Sequence, residues 1–157
     1  MPPGITVRPI TAEDAPFLFH LFTTTRLDIL MLPWSEAQKH EFLQMQFRAQ
    51  HTDYQTRFGL AQYLIIERNS KPIGRLYVDR RQDRIHILDI TILPEERGAG
   101  VGSAFLLDLQ AEARTCGKAV SLYVEAGNVA QRLYQRLAFR PVRTQGPYVL
   151  LEWSALT

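Results

Sequence analysis

The sequence predicts an α/β fold: a central mixed, mostly antiparallel sheet flanked by helices, in the order β-α-α-β-β-β-α-β-α-β-β. Three observations predict it. Apolar residues recur at helical spacing within residues 11–49, change to a period of two over 63–93, then alternate between the two periods to the end. One glycine-rich turn, Gly98-Ala99-Gly100-Val101-Gly102, joins a strand pattern to a helix pattern. The chain has 157 residues, 46% hydrophobic and 22% charged, which is enough to bury one core. No repeat, low-complexity tract or linker divides it, so one domain over 1–157 is expected.

Residues 5–10 alternate well enough for a strand, with Ile5 and Val7 on one side. A helix follows, started either by Thr11 with Asp14 as a capping box or by Asp14 itself, which puts Pro16 in the tolerant first turn. Residues 24–34 form an apolar stretch ended by Pro33. Ser35 with Gln38 is a second capping box, and the helix it opens is expected to run to about Ala49, with Phe42, Leu43, Met45 and Phe47 as its apolar side. Residues 63–67, 73–79 and 84–93 then read as three strands of an antiparallel meander, parted by turns at 69–71 and 80–83. After Pro94 and the glycine turn comes a helix to Cys116, with Phe105, Leu106, Leu109 and Ala113 inward and Gly117 as its cap. A strand at 119–125, a short helix at 128–137, and strands at 139–142 and 148–153 complete the order.

Composition excludes several functions. A net charge of +2 is too weak to suggest nucleic acid, and Arg80, Arg81 and Arg84 read as a solvated hairpin tip. A lone cysteine, Cys116, rules out a disulfide framework within the chain and reads as small apolar packing. No apolar run approaches a membrane span, the start Met1-Pro2-Pro3-Gly4 carries no leader pattern, and no metal-ligand set stands out. A cytoplasmic protein without membrane attachment is therefore expected.

The informative segment is 87–105, where a strand runs through Pro94 into the glycine turn and then a helix. Gly98, Gly100 and Gly102 allow a tight turn and close approach of the backbone to a ligand. The helix start offers unpaired N–H groups and the positive end of a dipole, and Arg97 adds a forked cation, so this is an anion site suited to phosphate. Other phosphate loops fit poorly. A P-loop needs Gly-Lys-Ser/Thr, and Gly102 is followed directly by Ser103. A dinucleotide fingerprint places its third glycine one residue later and opens a βαβ unit rather than following a meander.

The run Ile92-Leu93-Pro94-Glu95-Glu96-Arg97-Gly98-Ala99-Gly100-Val101-Gly102 resembles the signature of the GNAT superfamily, acyltransferases that use acetyl-CoA or related thioesters. Its pattern Arg/Gln-x-x-Gly-x-Gly/Ala is met by Arg97, Gly100 and Gly102. A second family segment is present as Asn128-Val129-Ala130 followed by Tyr134 and Phe139, and the element order agrees over nearly the whole chain. Where the family usually has glycine before that phenylalanine, this sequence has Ala138, which bears on the turn there.

The resemblance implies acyl transfer from acetyl-CoA, or another acyl-CoA, to a primary amine by direct attack on the thioester; a non-catalytic acyl-CoA sensor of the same fold is the alternative. It implies that the amides of Arg97, Gly98, Ala99, Gly100, Val101 and Gly102 hold the diphosphate. The pantetheine arm would pair like an added strand with Thr91, Ile92 and Leu93, beside a bulge that frees backbone groups, and a backbone N–H near Ile92 would meet the oxyanion. Tyr134 would protonate the departing thiolate, and Asn128 would bond the arm or the nearby backbone. An alkylamine with a pKa near ~10 needs a base, or an apolar site that favours its free form. His86, Asp89 and Glu125 are the three candidates for that base, each also explicable as an ordinary strand or helix-start residue. The acceptor, a small-molecule or protein amine, would be shaped by residues 26–34 and 145–148, where Asp28 offers a charge for an ammonium. A homodimer is compatible with the family.

Overall fold

The structure, a computed structural model, describes residues 1–155. In chain order its elements are β1 (Ile5–Pro9), α1 (Ala15–Thr23), α2 (Leu27–Leu30), α3 (Glu36–Arg57), β2 (Gln62–Arg68), β3 (Lys71–Arg80), β4 (Arg84–Ile92), α4 (Val101–Cys116), β5 (Ala119–Glu125), α5 (Gln131–Arg136), β6 (Arg140–Gln145) and β7 (Tyr148–Ser154). The predicted order is present, with the one-turn helix α2 added inside the stretch 24–34. No helix among the described residues is long and apolar enough to cross a membrane.

Seven strands form one sheet in the order β1-β2-β3-β4-β5-β7-β6. Neighbours pair antiparallel except β4 and β5, which run parallel, so the sheet is mixed and mostly antiparallel as predicted. The parallel pair requires a crossover, and α4 supplies it. Alternation sends Ile85, Ile87, Val120, Leu122 and Trp153 to one face, where they pack against Phe105, Leu106, Leu109 and Ala113 of α4. On the other face a second cluster joins Leu18 and Phe22 of α1, Ile29 of α2, Leu43 and Phe47 of α3, and Ile65 of β2.

Local chemistry explains the helix starts. The capping-box reading of the first cap holds: Asp14 Oδ2 accepts from Thr11 N at 2.7 Å and a short 3₁₀ turn follows Thr11; α1 then begins with Pro16 in its first turn, preceded by Asp14, whose side chain makes no cap bond to α1. The Ser35 box closes reciprocally, Gln38 N donating to Ser35 Oγ at 3.1 Å and Ser35 N to Gln38 Oε1 at 3.0 Å. The far end of α3 departs from expectation. The helix passes Ala49 and stops only at Arg57, just before Gly59, and Met45 faces solvent instead of the core. At the end of α4, Gly117 takes the left-handed conformation expected of a cap, with φ of 68°. Cys116 beside it is exposed, so the expected small apolar packing is not found there.

Ala138, in the turn after α5, carries φ of 68°, a left-handed conformation unusual for an L-residue. Gly74 of β3 lies so close to β4 that a methyl group on it would meet the Thr91 carbonyl at 2.5 Å.

Candidate active site

Strand β4 changes partners along its length. Its first residues pair with β3 on one side and with β5 on the other, from Arg84↔Ala119 to Ile87↔Leu122. There the β5 pairing stops, while β5 stays zipped to β7 as far as Glu125↔Tyr148. The cause is a bulge: Tyr77 of β3 faces Asp89 and the next residue, Val78, faces Ile87, so Leu88 is extra. A bulge bends its strand and adds twist, which swings residues 89–92 away from β5. The bulge implied by the resemblance is therefore present, and the sheet opens into a V.

The glycine turn stands at the mouth of this V. Gly98 and Gly100 have φ of 83° and 80°, so both need glycine's freedom. Gly102 does not; it is already within α4 with ordinary helical backbone. All three share another property: a methyl group placed on any of them meets nothing within 4 Å. The loop is an open cradle at a helix start, with the size and polarity to take an anion. Arg97 Nε donates to the Ile92 carbonyl at 3.0 Å, which ties the guanidinium to the strand end.

A continuous cleft of about 1870 Å³ runs from this cradle through the V to the far face of the sheet. Its wall includes Thr91, Ile92, Arg97, Gly98, Gly100, Val101, Gly102, Asn128 and Tyr134, which the sequence analysis assigned to cofactor binding. Leu93 and Ala99 lie outside it. Leu93 is buried and its N–H is spent on the Ile73 carbonyl at 2.8 Å, so the exposed strand edge ends at Ile92. The side-chain oxygen of Asn128 accepts from Ala130 N at 2.8 Å and closes the turn before α5, which starts at Gln131 and not at Asn128.

Tyr134 is 8% exposed, packs edge-on against Phe139 at 5.8 Å and still lines the cleft. Burial, with a smaller push from Asp89, raises its hydroxyl to about 12, so it remains a proton donor through the neutral range.

The three base candidates have different surroundings. His86 is 5% exposed, and its Nδ1 lies 2.7 Å from the buried Ser121 Oγ. Burial, then Arg81 and Arg84, push it down to about 4, so the imidazole is neutral and weakly basic. Asp89 is no open carboxylate. Arg75 Nη2 donates to one oxygen at 2.6 Å and Thr91 Oγ1 to the other at 2.5 Å. That engagement argues against a base role for Asp89. Glu125, at the end of β5, is exposed on the cleft wall and forms no ion pair among the described residues.

The arginine cluster at the hairpin tip is partly exposed as expected and is also ion-paired. Arg80 pairs with Glu112, Arg81 with Asp79, and Arg84 with Asp83 and Glu152; Arg81 and Arg84 also line the cleft. Asp28 is held by Arg26 at 3.1 Å and is no unpaired lure for an ammonium. No group of three or more His, Cys, Asp or Glu side chains suited to a metal occurs among the described residues.

Sequence reasoning missed a whole wall. Gln50, Asp53, Tyr54 and Arg57 line the cleft from the last turns of α3, beyond the predicted helix end. Their spacing of three, four and seven residues from Gln50 was a legible helical stripe, and Gly59 was the better stop signal. Tyr54 Oη donates to the Leu88 carbonyl at 3.4 Å, and burial raises its pKa.

Residues 24–139, well over half of the chain, match the model of the acetyltransferase (GNAT) family. The chain belongs to that family. Solved GNAT structures share its fold. The PaiA N-acetyltransferase of Thermoplasma acidophilum, in complex with coenzyme A, is 18% identical with a TM-score of 0.70 over 96% of this chain and 98% of that one. The ribosomal-protein-S18-alanine N-acetyltransferase of Escherichia coli is 19% identical, with a TM-score of 0.65 over 96% of this chain and 93% of that one. A GNAT family acetyltransferase of Elizabethkingia anophelis with acetyl-CoA bound is 17% identical, with a TM-score of 0.61 over 98% and 99%. Among curated proteins no sequence matches this GNAT chain.

Proposed function

We propose that this chain is a single-domain N-acyltransferase over residues 1–157 that moves an acetyl or related acyl group from acyl-CoA to a primary amine. One observation carries the proposal: the V between β4 and β5 leads directly into an open glycine cradle at the start of α4. A diphosphate at the cradle would meet main-chain N–H groups of 97–102 and the helix dipole. An amide-bearing arm laid along residues 89–92 would satisfy a strand edge that β5 has left. The thioester then reaches the apex of the V beside Tyr134, whose proton goes to the leaving sulfur as the C–S bond breaks and the amide C–N bond forms. The amine enters from the opposite face, past Tyr54 and Tyr123. Glu125, on that wall, relays the ammonium proton to solvent, while His86 stays neutral as a structural partner of Ser121.

Coenzyme A and its acetyl ester should raise the melting temperature of the wild-type chain and leave Gly100→Glu unmoved, because that side chain puts bulk and charge into the cradle. Retained micromolar binding by Gly100→Glu would remove the cradle from the proposal. Thiol release from acetyl-CoA across a panel of small-molecule and peptide amines then tests turnover. Binding without release from any of them would leave an acyl-CoA sensor.

A further inference from the structure

A buried ion pair lies at the bulge. Arg75 is 3% exposed, yet it is charged and ion-paired with Asp89 at 2.6 Å. It lies 4.9 Å from the centre of the Tyr77 ring. Arg75 Nη2 also donates to Gln50 Oε1 at 3.1 Å, and Thr91 closes the other side of Asp89. Even so, Arg75 Nε and the Tyr77 hydroxyl are buried with no hydrogen-bond partner among the described residues. A buried pair of this kind is a poor device for stability, since well-packed apolar residues of similar size do as well or better. Its location suggests another use. The charges join β3 to β4 one residue past Leu88, where β4 leaves β5. From above, α3 reaches the same spot twice, through Gln50 to Arg75 and through Tyr54 to the Leu88 carbonyl.

We infer that Arg75, Asp89 and Tyr54 are positioning residues: together they fix the backbone of the bulge, and with it the main-chain groups of 88–92 that hold and polarise the thioester. The inference rests on the acyl-CoA reading above. Past the bulge β4 is held by β3 alone and has no partner on its freed side, so the groups presented there are aimed by the geometry of the bulge. A charge pair anchored on the sheet and a hydroxyl from α3, both on the same face, supply that rigidity from two different elements. Asp89 thereby acts through backbone geometry and does not take the acceptor's proton.

The test uses the full chain with acetyl-CoA labelled with ¹³C at its carbonyl, and needs no knowledge of the acceptor. Difference infrared spectra of the bound thioester report how strongly the carbonyl is polarised. The variants are Tyr54→Phe, which removes one hydroxyl, and the double replacement Arg75→Met with Asp89→Leu, which removes both charges together and leaves neither unpaired. In both, affinity for 3′-phospho-ADP, the part of CoA that lacks the pantetheine arm, should stay within about twofold, because the cradle is untouched. The carbonyl band should move at least halfway back to its position in water. Turnover with any accepted amine should fall about tenfold for Tyr54→Phe and about 100-fold for the double variant, the scale set by small misplacements of reacting groups. Unchanged bands in both variants would overturn the inference. If the double variant does not fold, Tyr54→Phe decides alone. A wild-type chain that fails to bind CoA at all would instead defeat the acyl-CoA reading on which this rests.

Discussion

The two halves of β4 share one strand and have opposite duties. From Arg84 to Ile87 it is an interior strand, laddered on both sides, with Ile85 and Ile87 almost wholly buried. From Asp89 to Ile92 it keeps only β3 and turns its other edge to a cleft. A single extra residue, Leu88, separates them. The difference teaches that a binding edge can be made inside a sheet by ending one ladder early, without an edge strand exposed to other chains. Gly74 supports the second half, because only a residue without a side chain lets β3 approach Thr91 so closely.

The contrast can be broken from the buried side first. Ile85→Ala should lower unfolding free energy by about 3 kcal/mol, measured by urea denaturation, while CoA affinity of the folded fraction is unchanged. A large loss of affinity with little loss of stability would mean that the halves are not separable.

His86 gives the next effect. Its folded value of about 4 lies below its ordinary value near 6.5, so the unfolded chain takes up the proton first as pH falls. The stability due to its neutral form is complete above about pH 6.5 and declines towards pH 4, with a loss of about 2 kcal/mol at pH 5. Replacing His86 by Gln should flatten that part of the curve in paired urea titrations; an unchanged slope would mean that another group carries it.

A smaller effect sharpens the contrast from the open side. Tyr134→Phe should lower turnover about tenfold and leave acetyl-CoA affinity unchanged, since thiolates need only modest help to leave. Equal turnover would take Tyr134 out of the proton path. The smallest effect lies outside the strand. Ala138→Gly should add about 0.5–1 kcal/mol to stability, because it relieves a left-handed alanine at some cost in chain entropy. A drop in melting temperature would show that the Ala138 methyl group packs more favourably than its backbone is strained.

What the sequence disclosed and what it hid follow from range. The cradle at 97–102 was legible because turn chemistry and helix starts are written in adjacent residues. The meander, the caps at Thr11, Ser35 and Gly117, and the faces of α4 were legible for the same reason. The ion pairing of Asp89 was not, since its charged partner Arg75 lies on β3 and is itself bonded to Gln50 on α3. The extent of α3 was not legible from an apolar stripe, because beyond Ala49 the helix turns Gln50, Asp53, Tyr54 and Arg57 to a cleft. Arg81 and Arg84 read as a solvated tip, and only the fold sets them against His86.

The placement of Cys116 has a practical use. It is the single thiol in the chain, it is exposed, and α4 carries it about 22 Å from the cradle at the other end of the helix. A maleimide dye or a surface tether can be attached there to the native sequence, with one site of attachment and the ligand entrance left clear.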